Sequence, residues 1–104
     1  MRRVVITGLG VISPIGNNAE EVTRSLKAGK SGIGRMDSFV EHNFKCHVGG
    51  KPTIDPAEHV DKRVYRFMSE GAGWNYMAME QAIADAGLSV QELVETAWAS
   101  ASTY

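Results

Sequence analysis

Apolar positions along the chain fall into three kinds of pattern. Val4-Val5-Ile6 is a continuous β-branched run, which predicts a strand buried on both faces, as in a parallel or mixed sheet. Phe44, Cys46 and Val48 alternate with Lys45 and His47, the signature of a short half-buried strand, here closed by Gly49-Gly50. Between Val60 and Ala86, the residues Val60, Val64, Phe67, Met68, Ala72, Met79, Ile83 and Ala86 recur at helical steps. That stripe predicts a long core-facing helix.

Polar punctuation refines these elements. Asn18 is a good N-cap, Glu21 can complete a capping-box-like exchange, and Glu20 and Glu21 suit the positive helix end. Val22, Ser25 and Leu26 lie at helical spacing before Gly29, a natural terminator. Glu20 and Arg24, four apart, predict a modest solvent-face ion pair. Ser31-Gly32-Ile33-Gly34 reads as a turn, with Asp55 as a cap and Pro56 as a first helical residue. Gly71 and Gly73 weaken the middle of the long stripe by about 1 kcal/mol each, so a kink or a close helix contact is expected there. Gly87 ends that helix, and Ser89-x-x-Glu92 is a capping box opening another.

Composition narrows the class. At 104 residues the chain is one domain or a piece of one, and 43% hydrophobic with 22% charged residues is ordinary globular usage. A net charge of -1 gives no basic field for nucleic acid or an anionic membrane. No apolar run spans a bilayer, and glycines break up the apolar core of the segment after Arg2-Arg3, unlike a secretion signal. Cys46 is the only cysteine, which excludes an intrachain disulfide and a cysteine-rich metal site. A reduced, cytoplasmic chain is expected.

The glycines after the first apolar run raise the question of a nucleotide. A dinucleotide fingerprint needs G-x-G-x-x-G with the helix opening on the motif, so that its amides meet the pyrophosphate. Here Gly8-x-Gly10 is followed by Ser13-Pro14, and the best cap is at Asn18. The fingerprint also needs an acidic residue about twenty positions on that ends a second strand, whereas Asp37 sits in an irregular stretch. The alternative is a glycine turn that packs strand against helix.

Four stretches together, "RRVVITGLGVISPIGNN", "SLKAGKSGI", "DKRVYRFMS" and "MEQAIADAGLS", resemble the N-terminal part of the β-ketoacyl-acyl carrier protein synthases, most closely their type I branch. The resemblance runs in order over residues 2–89 and fades over 90–104, so 1–104 reads as a partial N-terminal domain. It implies an α/β, thiolase-like fold, layered helix-sheet-helix-sheet-helix in the complete family, and a homodimer. It also implies acyl transfer from acyl carrier protein to a cysteine, followed by decarboxylative condensation with malonyl-carrier protein, assisted by two histidines. No nucleotide cofactor is implied. In the family the glycine turn is scaffold.

By that resemblance the nucleophile and both histidines lie beyond residue 104, so no catalytic residue is assigned. Cys46 matches no catalytic position; on an alternating strand it faces the apolar side, opposite His47, and the two cannot form an activated pair. His42 and His59 lack partners at metal-ligand spacing. Lys62, Arg63 and Arg66 match positions where the family presents a basic surface to acidic carrier protein. On a helix these three share one face, with Val64 and Met68 about 200° away, toward the core. The alternative is a solvated face in which Glu58 pairs with Lys62. Two other functions compete: a carrier-protein-binding module without chemistry, and a dinucleotide-binding protein. A strand without its sheet further predicts that the 104-residue chain alone folds poorly.

Overall fold

The computed structural model describes residues 2–87. The capping box at Ser89 and Glu92, and the divergent stretch 90–104, lie outside them. In chain order the elements are α1 (Ala19–Ala28), β1 (Ile33–Arg35), α2 (Asp37–Glu41), β2 (Val48–Gly50), α3 (Pro56–His59), α4 (Lys62–Tyr65) and α5 (Glu70–Ala86). Helices with one small sheet are compatible with part of an α/β domain.

Helix α1 forms as its punctuation predicts. Asn18 Oδ1 accepts the Glu21 N–H at 2.9 Å and Asn18 Nδ2 donates to the Glu21 carboxylate at 3.0 Å, closing a reciprocal cap. Gly29, at φ 68, ends the helix in the left-handed region. Glu20 and Arg24 lie 3.7 Å apart on the exposed face. The inner face holds Ser25, buried, whose hydroxyl donates to the Ile15 carbonyl at 2.6 Å.

The sheet departs from the expectation. Strands β1 and β2 are antiparallel, with Ile33 opposite Gly50 and Arg35 opposite Val48, so Ile33 and Gly34 belong to a strand and not to a turn. The strand expected from Phe44 starts only at Val48. Phe44 serves α2 instead: its N–H donates to the Phe39 carbonyl at 2.9 Å just after Asn43, which stands at φ 58, and its ring lies 5.2 Å from that of Phe39. A residue that closes a helix end in this way has no N–H left for a ladder.

Val4, Val5 and Ile6 are 93%, 70% and 88% exposed, and among the described residues they pair with no strand. The buried strand expected there is absent from residues 2–87, because β1 and β2 pair only with each other and a strand needs a ladder partner. The following residues are nevertheless fixed. A Cβ on Gly8 would lie 2.8 Å from the Ala86 Cβ, and one on Gly10 would lie 2.7 Å from the Ala82 nitrogen. Neither glycine has positive φ, so both are needed for close approach to α5, and not for unusual backbone angles.

The long stripe is not one helix. Val60 has extended backbone, Asp61 caps α4 by accepting the Arg63 N–H at 2.9 Å, and Ser69 caps α5 by accepting the Ala72 N–H at 3.2 Å. Each break resets the helical phase. Val60 is buried, at 6% exposure, whereas Val64, Phe67, Ala72 and Met79 are exposed. Of the kink and the close contact expected near Gly71 and Gly73, the contact exists. A Cβ on Gly73 would meet the Pro56 Cβ at 2.6 Å, where α3 crosses α5. The Trp74 indole N–H ties the same crossing by donating to the Ile54 carbonyl at 2.9 Å.

Candidate functional site

The basic cluster sits on α4 and the turn after it. Asp61 starts the helix, the Tyr65 N–H donates to the Asp61 carbonyl at 2.8 Å, and the Arg66 N–H donates to the Lys62 carbonyl at 3.2 Å. Arg66 keeps right-handed helical angles at the C-terminal cap. The helical phase therefore runs unbroken from Lys62 to Arg66, and all three cations are exposed. Ion pairs among the described residues are Arg24–Glu20, Arg35–Asp37 and Lys51–Glu70. Lys62, Arg63 and Arg66 are in none of them, and the Glu58–Lys62 pair of the solvated-face alternative is not formed. Glu58 and Lys62 stand on different helices, separated by the extended Val60.

Two expectations around the cluster need correction. Val64 is 38% exposed rather than core-facing, because α4 is a separate four-residue helix divided from α3 by the extended Val60. Phe67, placed in the apolar stripe by its spacing, is 79% exposed and carries the Arg66 guanidinium over its ring, Cζ to centroid 4.6 Å. The signal that could have found this was Ser69, a cap residue lying inside the supposed helix. Beside these residues Met68, Ala72, Asn75, Tyr76 and Met79 line a shallow hollow of about 420 Å³. The Tyr76 phenol is held above its ordinary value of 10.0, chiefly by the Glu80 carboxylate, then by partial loss of water, a hydrogen bond to Glu80, and Asp61.

The other candidates stay apart. Cys46 is exposed, outside any strand, and its S–H donates to the Val48 carbonyl at 3.4 Å. It does not face an apolar side, because β2 begins after it. His47 is exposed, and its carbonyl accepts the Met36 N–H at 2.9 Å. The His42 Nδ1 lies 2.7 Å from the Ser38 carbonyl, and His59 ends α3. Among the described residues no three His, Cys, Asp or Glu side chains gather as metal ligands. Nor is any helix there long and apolar enough to cross a membrane. The segment of Gly8 and Gly10 opens no helix of its own. Its Leu9 and Val11 amides donate to the Asp85 carboxylate and to Gln81 Oε1 of α5.

Comparison with known proteins supplies the family. Residues 1–103 match the model of the β-ketoacyl synthase N-terminal domain. The 3-oxoacyl-[acyl-carrier-protein] synthase 1 of Haemophilus influenzae is 54% identical over 93 residues, covering 89% of this chain and 23% of that protein. The synthase 1 of Escherichia coli is 47% identical over 89 residues, 86% of this chain and 22% of its own length. The synthase 2 of Synechocystis is 36% identical over 93 residues, 88% of this chain and 22% of its length. The chain thus spans under a quarter of each of these relatives. With a family model matching nearly its whole length, the chain belongs to the β-ketoacyl synthase family.

Proposed function

We propose that the chain is the N-terminal segment of a β-ketoacyl-acyl carrier protein synthase, a cytoplasmic, homodimeric enzyme of fatty-acid elongation with the layered thiolase-like fold. The observation that carries this reading is 54% identity to a 3-oxoacyl-[acyl-carrier-protein] synthase across 89% of the chain. In the reaction, a cysteine accepts the acyl group from acyl carrier protein. Loss of carbon dioxide from malonyl-carrier protein leaves a carbanion, which attacks the acyl thioester and expels the cysteine thiolate. That cysteine and its two histidines lie outside residues 1–104. The segment contributes scaffold and docking surface, and by itself performs no condensation.

Docking falls to Lys62, Arg63 and Arg66. Three exposed cations on one helical face, free of carboxylate partners among the described residues, suit an acidic protein that must leave every cycle. Contacts of this kind contribute about 0.2–1 kcal/mol each and act mainly on association rate and register. Reversing all three charges in the complete enzyme is expected to weaken carrier-protein binding and flatten its dependence on salt. Unchanged affinity with an unchanged salt slope would remove the docking role.

A further inference from the structure

We propose that Phe67 is a positioning residue for Arg66, holding the guanidinium ready for a carboxylate of the docking protein; this rests on the docking reading above. The Arg66 Cζ stands 4.6 Å from the centre of the Phe67 ring, within the distance at which a ring face attracts a cation. The ring is 79% exposed, so it offers this face at the surface. No carboxylate among the described residues competes for Arg66.

An arginine has a long, rotamer-rich side chain, and ordering it on binding opposes association. A ring beneath the guanidinium restricts it beforehand. The attraction uses the ring face and leaves N–H donors free, and the planar fork of those donors is what a carboxylate recognises. Both backbones are fixed independently of the contact. The Arg66 N–H donates to the Lys62 carbonyl at 3.2 Å and the Phe67 N–H to the Val64 carbonyl at 3.2 Å, so the ring and the guanidinium are carried on one rigid turn. Lys62 and Arg63 have no such support from an aromatic ring among the described residues. Arg66 is accordingly the preorganised member of the three.

The test uses the complete enzyme, with Phe67→Leu removing the ring at similar bulk and Phe67→Trp restoring one. Steady-state condensation is measured with carrier-protein substrates and with thioesters of a small-molecule thiol. In Phe67→Leu, KM for the carrier-protein substrate is expected to rise about two- to fivefold, the size of an exposed cation–ring contact. The slope of log KM against log salt should stay as in wild type, because no charge is lost. Phe67→Trp should return KM to the wild-type value, and neither variant should alter kcat or KM with the small thioesters. A Phe67→Leu enzyme indistinguishable from wild type on carrier protein overturns the proposal. So does equal impairment of the Leu and Trp variants, or a loss that extends to small thioesters. Arg66→Gln separates the two levels. If it leaves carrier-protein KM unchanged, docking by Arg66 itself is wrong; if it raises KM while Phe67→Leu does not, only the positioning role falls.

Discussion

The Asp85 carboxylate accepts the Leu9 backbone N–H at 3.0 Å, joining residues 76 positions apart. One helical turn earlier, Gln81 Oε1 accepts the Val11 N–H at 3.1 Å while Gln81 Nε2 donates to the Asn17 carbonyl at 2.7 Å. The spacing has a simple origin. Residues two apart in an extended chain advance about 6.7 Å, and residues four apart in a helix advance about 6.0 Å. Two helical side chains can therefore satisfy two alternate amides, and the N-terminal segment takes its register from α5.

Removing that clamp should be measurable in the complete protein. Gln81→Leu deletes an acceptor and a donor at once and leaves the Val11 N–H and the Asn17 carbonyl short of partners, at a cost of about 1–3 kcal/mol. The expected outcome is a lower urea midpoint with an unchanged slope, and faster hydrogen exchange at Val11. Asp85→Asn keeps an acceptor for Leu9 and should cost less. Wild-type exchange at Val11 in Gln81→Leu would show that the clamp does not set register.

Gly8→Ala and Gly10→Ala probe close approach. A Cβ on Gly10 would run into the Ala78 carbonyl and stand 2.7 Å from the Ala82 nitrogen. Helix backbone cannot swing aside as a side-chain tip can, so overpacking should cost at least about 1–3 kcal/mol. The control is Gly71→Ala, where nothing lies within 4 Å and the helical propensity of alanine should stabilise slightly. Equal stability of Gly10→Ala and wild type, by chemical denaturation, would contradict the packing.

Tyr76 carries a pH dependence of definite sign. Its phenol is raised above 10.0, first by the Glu80 carboxylate, so the folded state holds this proton more tightly than the unfolded state does. The contribution is fully present below pH 10, the unfolded value, and is lost as pH rises through the higher folded value. The tyrosinate difference spectrum between the complete enzyme and its Tyr76→Phe variant should show a midpoint above 10, moving down in Glu80→Gln. A midpoint unmoved by Glu80→Gln would exclude the carboxylate as the cause.

The 104-residue chain by itself should behave as a partly packed species. Val4 and Ile6 are 93% and 88% exposed, and Val60 is the buried hydrophobic residue among those described. Exposed apolar surface with fluctuating packing binds ANS and dulls the near-UV circular dichroism signal. Strong ANS binding and a broad thermal transition are expected. A sharp cooperative transition of a monomer, with dispersed side-chain NMR signals, would show that these residues pack without further support.

Local chemistry was legible in the sequence wherever one or two neighbouring residues decide it. Asn18 with Glu21, Gly29, Asp55 with Pro56, and Gly87 each carry their own instruction, because a cap or a left-handed turn is satisfied within a few residues. The grouping of Lys62, Arg63 and Arg66 on one face was equally legible, since helical phase is set locally. Family membership was also carried by the sequence, as four blocks in fixed order.

Tertiary structure alone decided which partners those elements find. Spacing placed Phe67 in a core stripe, but Ser69 and the extended Val60 break the helix and turn the ring outward, beside Arg66. Phe44 looked like a strand residue and instead closes the end of α2. Gly8 and Gly10 read as a turn packing against a helix, but which helix they meet became visible only against Ala78, Ala82 and Ala86, some seventy residues away. Burial and close approach belong to pairs of surfaces, and one surface of each pair is absent from any local window of sequence.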